Sequence, residues 1–292
     1  MDSHKTVTTS TGGSERFAVP ASRYDFKQLA DIYNQARVDY IVPMPMNARR
    51  MEEYVHTYDI DLDASVVALN SERDPCGVGM VGVRGDRTWI TRLGVIPERR
   101  GYRLGQYLME QMIESSLQIN ARRIQLEVIV GNEPAYRLFQ KLGFVDTRIL
   151  LIVRRPPGQM PAHPLYDAAT VTEIAPADIP AYLAQREPGA SWVEETQSLL
   201  NARQLCGLHL ELPSGERSWI VFQRTPFQLT HFVLGPASME ATGALLHHVH
   251  RAYPNQDTKI ESVPEQDRHW PAFQKMGYLE VFRRIEMVLE LR

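Results

Sequence analysis

The stretch Leu93–Gly105 constrains the fold of this chain more than any other. Its first residues end a predicted strand over Trp89–Ile96, because Pro97 has no N–H group with which to continue a ladder. Apolar residues at helical spacing predict that a helix begins at Leu104. A glycine-containing loop that leads into a helix N-terminus presents unpaired backbone N–H groups and the positive end of the helix dipole. Three arginines add positive charge, so the stretch suits a pyrophosphate; the alternative is a plain strand-to-helix turn whose arginines face water.

The bulk composition indicates a soluble globular protein of about two domains. The chain has 292 residues, of which 43% are hydrophobic and 23% charged, as is typical of soluble proteins. Its net charge of −3 gives no general attraction to nucleic acid or to anionic membranes. No apolar run approaches the roughly 20 residues that span a bilayer.

Three further expectations follow from composition. Residues 1–15 are rich in Ser, Thr and Gly and lack the apolar core of a signal peptide, so we expect a disordered tail. The two cysteines, Cys76 and Cys206, lie in different halves without metal-ligand spacing. This favours buried thiols in a cytoplasmic protein with no bound metal.

Hydrophobic periodicity and turn signals predict the order β-α-α-β-β-β-α-β-α-β for the first half of the chain. Two helices are predicted before the basic loop, over Tyr24–Val38 and over Asn47–Tyr58, and Asn47 suits the cap position of the second. The helix after the loop runs to about Asn120, and another spans Glu133–Leu142. The predicted strands are Phe17–Val19, Ser65–Leu69, Val78–Val83, Trp89–Ile96, Arg123–Val130 and Phe144–Val153.

Two motifs within this order resemble the GNAT superfamily of acyl-coenzyme A-dependent N-acetyltransferases. The loop from Arg100 to Gly105 is similar to that family's R-x-x-G-x-G/A motif, with Arg103 in place of the central glycine. The second motif resembles the family's L-E-V…N-x-x-A-x-x-x-Y-x-x-x-G-F and consists of Leu126-Glu127-Val128, Asn132, Ala135, Phe139 and Gly143-Phe144. The resemblance covers about Phe17 to Arg155. It implies an α/β fold in which a mixed, mostly antiparallel sheet is flanked by helices.

The resemblance also implies a coenzyme site and an activity. Acetyl-coenzyme A would bind between two diverging strands, with its pyrophosphate on the basic loop. It would give its acetyl group to a primary amine of a small molecule, by direct attack in a ternary complex. The residues implied to bind it are Val95 (whose N–H would be the oxyanion donor), Arg100, Gly101, Tyr102, Arg103, Leu104, Gly105, Asn132 and Phe139. The alternative function is a non-catalytic acyl-coenzyme A-binding sensor or scaffold. The sequence is compatible with a homodimer.

The candidate catalytic residues are Glu127 and Tyr136. Glu127 occupies the position of the glutamate that serves as general base in some members of the family; the alternative is a carboxylate that faces solvent or pairs with Arg123. Phe139 stands where the family often has a proton-donating tyrosine, so Tyr136, one helical turn earlier, is the substitute, unless it is an ordinary core or surface tyrosine. The acidic run Asp59-x-Asp61-x-Asp63 suits a cationic acceptor, and a solvated loop is the alternative.

The second half of the chain repeats the first without the basic loop. Phe139–Phe144 recurs as Phe273–Tyr278, Glu127 falls on Glu261 in the same register, and Trp89–Pro97 has a counterpart in Gln228–Pro236. After Pro236 the chain passes directly into a helix. We therefore expect a catalytic GNAT domain over 16–155, a proline-rich linker over 156–168, and a degenerate GNAT-like domain over 169–292.

Three histidines on the predicted helix Ala241–Tyr253 invite a metal-site interpretation: His247, His248 and His250. They point in too many directions for one compact site, and no nearby cysteine or carboxylate completes a ligand set. We therefore expect them to face solvent.

Overall fold

The computed structural model describes residues 17–100 and 103–291, which form two compact units. The first unit contains the residues up to Leu126 together with Arg137–Val145 and the C-terminal residues from Val288. The second contains Glu127–Tyr136 and Asp146–Met287. The predicted tail over 1–15 lies outside the described residues, as do Gly101 and Tyr102.

The element order of the first half matches the prediction. The strands are β1 (Phe17–Pro20), β2 (Ile60–Leu69), β3 (Pro75–Arg84), β4 (Arg87–Val95), β5 (Arg123–Ile129) and β6 (Val145–Arg155). The helices are α1 (Phe26–Ala36), α2 (Ala48–Thr57), α3 (Leu104–Gln118) and α4 (Glu133–Lys141).

The second half repeats this alternation, with mostly shorter helices. Its strands are β7 (Thr170–Glu173), β8 (Leu205–Glu211), β9 (Arg217–Arg224), β10 (Gln228–Leu234), β11 (Asp257–Pro264) and β12 (Leu279–Glu290). Its helices are α5 (Pro164–Asp167), α6 (Ile179–Leu183), α7 (Thr196–Ala202), α8 (Met239–Ala252) and α9 (Trp270–Lys275). Helix α5 lies within the predicted linker.

In the first unit the strands follow the order β1-β2-β3-β4-β5, with the end of β12 beside β5. The pairs from β1 to β4 are antiparallel, whereas β4 and β5 are parallel. Helix α1 packs against α2 and β3, and α3 packs against β2 and β3. This mixed, mostly antiparallel sheet flanked by helices confirms the predicted fold class.

Local sequence signals account for the helix starts of the first unit. Asp25 accepts a hydrogen bond from the Gln28 N–H at 2.8 Å, and the Gln28 side chain accepts one from the Asp25 N–H, which is a capping box. Asn47 accepts from the Arg50 N–H at 2.9 Å and begins α2 as predicted. The apolar face of α1 then buries Leu29 and Tyr33 completely.

In the second unit the strands follow the order β12-β6-β11-β10-β9-β8-β7, with the end of β5 beside β12. Strand β6 is antiparallel to β11, so it belongs to this compact unit although it precedes the linker. The core of the unit includes Phe222, Leu245 and Tyr278.

Both halves interrupt the equivalent strand with the same irregularity. The register between β3 and β4 shifts next to Arg92, and the register between β9 and β10 shifts next to His231. These residues have φ of 54° and 55°, in the left-handed region that costs a non-glycine residue about 1 kcal/mol. They also occupy equivalent positions of the repeated segments Trp89–Pro97 and Gln228–Pro236, which supports a duplication.

Helix α3 is preceded by Arg103, the residue that replaces the central glycine of the family's loop motif. Arg103 is its N-cap residue, with φ 55° and ψ 24°. Arginine therefore adopts the left-handed conformation that glycine would adopt without steric cost.

We expect Arg103→Gly to raise the free energy of unfolding by about 1 kcal/mol, because it removes the left-handed strain of a β-carbon-bearing residue. Denaturant unfolding measures the change. The control is Arg99→Gly, at a position without positive φ, where glycine lowers the free energy of unfolding through its greater chain entropy. Equal destabilisation by both substitutions would contradict the prediction.

Candidate active site

The N-terminus of α3 offers backbone donors to an anion. No side-chain cap is present at this helix among the described residues, and the carbonyl of the N-cap residue Arg103 accepts from the Tyr107 N–H at 3.0 Å. Leu104 is buried and anchors the first turn. At Gly105 an added β-carbon would lie 3.6 Å from Leu138 Cδ2, an ordinary contact. The first-turn N–H groups and the helix dipole thus remain available to a negatively charged ligand.

Arg100 is held beside this helix start. Its guanidinium forms a two-point ion pair with Asp39, with N–O distances of 2.5 and 2.7 Å, and this hydrogen bonding lowers the pKa of the Asp39 carboxyl. Its Nε also donates to the Val95 carbonyl at 3.1 Å. The Arg100 and Asp39 side chains are 44% and 53% exposed, and such exposed pairs contribute little. A pyrophosphate can therefore compete with Asp39 for this arginine.

The Val95 N–H points away from β3. Ile96 N donates to the Cys76 carbonyl at 2.9 Å, so Ile96 and Cys76 form a hydrogen-bonded pair of the antiparallel ladder. Val95 pairs with Gly77 in the next position, and hydrogen-bonded and non-hydrogen-bonded pairs alternate. The Val95 N–H therefore faces the side of β4 on which the ladder to β5 has already ended, because the last pair there is Ile90 with Leu126.

Arg92 is a site residue that sequence reasoning missed. Its guanidinium lies 4.2 Å from the centroid of the Tyr54 ring, and Nη1 donates to the Tyr33 hydroxyl at 3.3 Å. The Tyr54 hydroxyl shares a hydrogen bond of 2.8 Å with Thr91 Oγ1. These side chains line the face of β4 next to α1 and α2. The signal for it was a single charged residue inside the apolar run Trp89–Ile96.

The acidic run after α2 is used for local structure. Asp59 pairs with Arg84 at 2.7 Å. Asp61 Oδ1 accepts from the N–H groups of Asp63 and Ala64 at 2.8 and 3.0 Å. Asp63 in turn accepts from the Ser22 hydroxyl. These contacts organise the start of β2.

Glu127 directly follows Leu126, the last residue of β5 that pairs with β4. Its side chain is 5% exposed, and its Oε1 atom has no hydrogen-bond partner among the described residues. Burial raises the pKa of this carboxyl to about 7, against the opposing effect of Arg284. Neither alternative from the sequence is found: Glu127 does not face solvent, and Arg123 pairs with Glu290 instead.

One arginine serves both of the repeated glutamates. The guanidinium of Arg284, on β12, lies 3.7 Å from Glu127 Oε2 and 2.9 Å from Glu261 Oε2. Sequence reasoning missed Arg284, although a charged residue in the apolar pattern of the last strand was visible. Because Arg284 is shared, it only partly offsets the cost of a charged Glu127.

The remaining candidates of the second motif are engaged in the structure. The Tyr136 hydroxyl donates to Asp146 Oδ2 at 2.8 Å. Asn132 Oδ1 accepts from the Ala135 N–H at 3.4 Å and so caps α4. Phe139 is buried, with its ring centroid 6.1 Å from that of Phe144. A hydroxyl group is therefore absent at 139, and the one at 136 already has an acceptor.

The helix start equivalent to that of α3 is closed in the second unit. Ser238 caps α8 by accepting from the Ala241 N–H at 3.1 Å. The Glu216 carboxylate accepts from both the N–H and the hydroxyl of Ser238 at 2.8 Å. At Gly235 an added β-carbon would lie 2.4 Å from Trp219 Nε1. The chain's own carboxylate thus occupies the anion position of this helix.

The expectation of solvent-facing histidines on α8 was wrong for two of the three. His247 is buried and hydrogen-bonds with Asp167 at 2.9 Å, and buried His250 bonds with the Tyr278 hydroxyl at 2.8 Å. Burial lowers the pKa of His250 to about 3. Helix α8 is covered by α5 and α9, which periodicity alone does not reveal. Among the described residues, no group of three or more His, Cys, Asp or Glu side chains is arranged to hold a metal ion.

The sequence model of the Acetyltransferase (GNAT) family matches residues 28–144. Residues 28–144, within the first half of the chain, are therefore similar to GNAT acetyltransferases. This match agrees with the resemblance that the two motifs indicate.

A candidate ribosomal protein bS18-alanine N-acetyltransferase of Bacillus subtilis (strain 168) is 34% identical over 90 residues. The match spans 31% of this chain and about half, 54%, of that relative.

Solved GNAT structures share the fold over nearly the whole chain. A GCN5-related N-acetyltransferase from Sphaerobacter thermophilus has a TM-score of 0.72 at 16% identity, covering 95% of this chain and 96% of that one. A tandem GNAT protein from the clavulanic acid biosynthesis pathway has a TM-score of 0.65 at 14% identity, covering 94% and 98%. At these identities the likeness shows the fold alone. In the described residues, no helix is long and apolar enough to cross a bilayer.

We expect Glu127→Gln to change the stability of this protein in a pH-dependent way. The folded-state pKa of Glu127, about 7, lies above its ordinary value of 4.5, so wild-type stability is lost as the pH rises through that window. The variant should match wild type below pH 4.5 and exceed it above pH 7, by up to about 3 kcal/mol. Denaturant unfolding across this range measures the difference.

The control for this measurement is Glu290→Gln, which removes an exposed carboxylate paired with Arg123. Its effect should stay within about 1 kcal/mol at every pH. A Glu127→Gln variant that is less stable than wild type at pH 8 would refute the buried, unsatisfied state of this carboxyl.

Proposed function

We propose that the chain transfers an acetyl group from acetyl-coenzyme A to a primary amine of a small molecule, by direct attack in a ternary complex. The observation that carries this proposal is the uncapped N-terminus of α3, with Arg100 beside it. A helix start without its own cap, next to a guanidinium, fits a pyrophosphate. When bound, the coenzyme supplies a thioester, which activates the acetyl carbonyl and gives a stable leaving thiolate.

Each candidate residue then has a chemical task. An ammonium has no lone pair, so Glu127, ionised above its pKa of about 7, takes the proton of the acceptor directly or through water. The Val95 N–H stabilises charge that develops on the acetyl oxygen. Asn132 hydrogen-bonds the amide-rich arm of the coenzyme, and Phe139 packs beside it.

No protein acid is required for the leaving group in this proposal. The Tyr136 hydroxyl already donates to Asp146, and Phe139 has no proton to give. A thiolate leaves without protonation more readily than an alkoxide does. A second candidate function is a non-catalytic acyl-coenzyme A-binding sensor. It is favoured by the same two observations, because neither Tyr136 nor Phe139 offers a proton to the leaving thiolate.

We also propose that coenzyme binding is confined to the first half of the chain. The start of α8 carries Ser238 as cap and the Glu216 carboxylate beside it, and a carboxylate repels a pyrophosphate. The domain boundaries 16–155 and 169–292 and a cytoplasmic location belong to this proposal.

Spectrophotometric release of free thiol from acetyl-coenzyme A, against a panel of small primary amines, tests the activity. An acceptor whose own pKa lies well below 7 isolates the base: its kcat/KM should rise as the pH passes about 7. Glu127→Gln should lower kcat/KM by about a hundredfold and abolish that rise. Glu290→Gln, a distant exposed carboxylate, should retain both.

Acetyl-coenzyme A binding without thiol release across the panel would favour the sensor instead. Release at an unchanged rate and pH profile in Glu127→Gln would remove Glu127 as the base.

Arg100→Ala should weaken acetyl-coenzyme A binding about tenfold, because it removes a charge-assisted contact to the pyrophosphate. Asp39→Asn is the matched control: it breaks the same ion pair but keeps the guanidinium, and should bind as tightly as wild type or more tightly. Isothermal titration measures both dissociation constants. An unchanged constant in Arg100→Ala would count against the loop assignment.

A further inference from the structure

The second unit contains a cavity of about 460 Å³ where two parallel strands separate. Strands β10 and β11 pair only at Gln228 with Asp257 and at Leu229 with Thr258. Beyond those pairs, Phe232–Leu234 and Ile260–Pro264 line the cavity, and the segment between α6 and α7 lines it as well. A volume of this size is within the range of sites that bind small molecules.

Three residues that line this cavity each have a buried donor atom with no hydrogen-bond partner among the described residues. The donors are the hydroxyl groups of Ser191 and Ser262 and the Nε of Arg186. Ser191 and Ser262 are only 2% and 4% exposed. Buried polar groups almost always have a hydrogen-bond partner. Three exceptions in one cavity indicate a ligand that accepts hydrogen bonds.

Arg186 is the one cavity-lining arginine without a carboxylate partner among the described residues. Arg148 pairs with Glu286 at 2.8 Å, and Arg268 pairs with Glu187 at 2.7 Å. Among the described residues, the Arg186 side chain hydrogen-bonds through Nη1 to the Glu194 carbonyl. Burial lowers the pKa of its guanidinium, while Glu194 and Glu195 oppose this. The cavity therefore holds a positive charge that lacks a direct counterion.

The nearby carboxylates are committed elsewhere. The Glu194 carboxylate lies 3.2 Å from His231 Nδ1. Burial lowers the pKa of His231, but the nearby Glu194 outweighs this effect, so the pKa is raised. Glu261 pairs with Lys259 at 2.7 Å and with Arg284 at 2.9 Å. Glu194 therefore already has His231 as a partner, and Glu261 already has Arg284, whose side chain is 10% exposed.

The rest of the lining is apolar and includes Phe232, Phe273, Ile260 and Val263. Such walls favour an organic body over a bare inorganic anion, because they gain from burying apolar surface. Because Arg186 is a single cation, it suits a ligand that has one negative charge.

We propose that this cavity binds a small organic monocarboxylate, whose carboxylate contacts Arg186, Ser191 and Ser262 and whose apolar body packs between Phe232 and Phe273. The second unit, which has lost the anion position at its helix start, thereby keeps a ligand site of its own. This inference does not depend on the proposed acetyl transfer, because its readout is binding alone.

The test uses the full chain and three probes of one shape: phenylacetate, the neutral phenylacetamide and the cationic 2-phenylethylamine. Binding is measured by isothermal titration and by ligand-observed NMR. Phenylacetate should bind at millimolar concentration or below, and the other two at least tenfold more weakly. No binding of phenylacetate at millimolar concentration, or equal binding of the amide, would overturn the proposal.

Variants locate the site. Arg186→Gln should weaken phenylacetate binding at least tenfold, whereas Arg122→Gln, at a side chain 83% exposed, should leave it unchanged. Ser191→Ala should weaken binding a few-fold without lowering the melting temperature, because the hydroxyl it removes has no partner. Ser191→Ala decides the question if Arg186→Gln does not fold, and unchanged binding in the folded variants would place phenylacetate elsewhere.

Discussion

In each half of this chain, two parallel strands pair over a few residues and then separate, and the candidate sites depend on that separation. The ladder between β4 and β5 ends at Ile90 with Leu126, and that between β10 and β11 ends at Leu229 with Thr258. Parallel strands that continue without pairing leave backbone and side-chain groups unsatisfied on their open side. Positive φ at Arg92 and His231 redirects both strands, at a steric cost that the surrounding packing offsets.

The two helix starts that follow these strands have opposite electrostatic outcomes. At α3 the N-cap is an arginine in a left-handed conformation, without a side-chain cap among the described residues. At α8 Ser238 caps the helix, with the carboxylate of Glu216 beside it. The positive end of the α8 dipole already has a carboxylate beside it, whereas that of α3 is available to an anionic ligand. The proposed division of labour between the halves follows from this difference.

Buried charge is the second constraint on function. Arg284 lies between the repeated glutamates Glu127 and Glu261 and is shared by both. Burial raises the pKa of Glu127 to about 7, in the range useful for a base, and the shared Arg284 opposes this rise only in part. The cavity of the second unit contains the opposite case, a guanidinium at Arg186 without a carboxylate partner among the described residues. In both places the proposed chemistry depends on a buried charged group that is incompletely paired.

The sequence by itself determined the order of the elements, the helix caps at Asp25 and Asn47, the GNAT motifs and the duplication, because these depend on local periodicity, capping and spacing. Tertiary structure alone decided that Arg100 pairs with Asp39, that Glu127 shares Arg284 with Glu261, that β6 pairs with β11, and that His247 and His250 are buried. These outcomes join residues far apart in the chain. No local pattern encodes which distant partner supplies the compensating charge, so the burial and pKa of a candidate residue are properties of the folded packing.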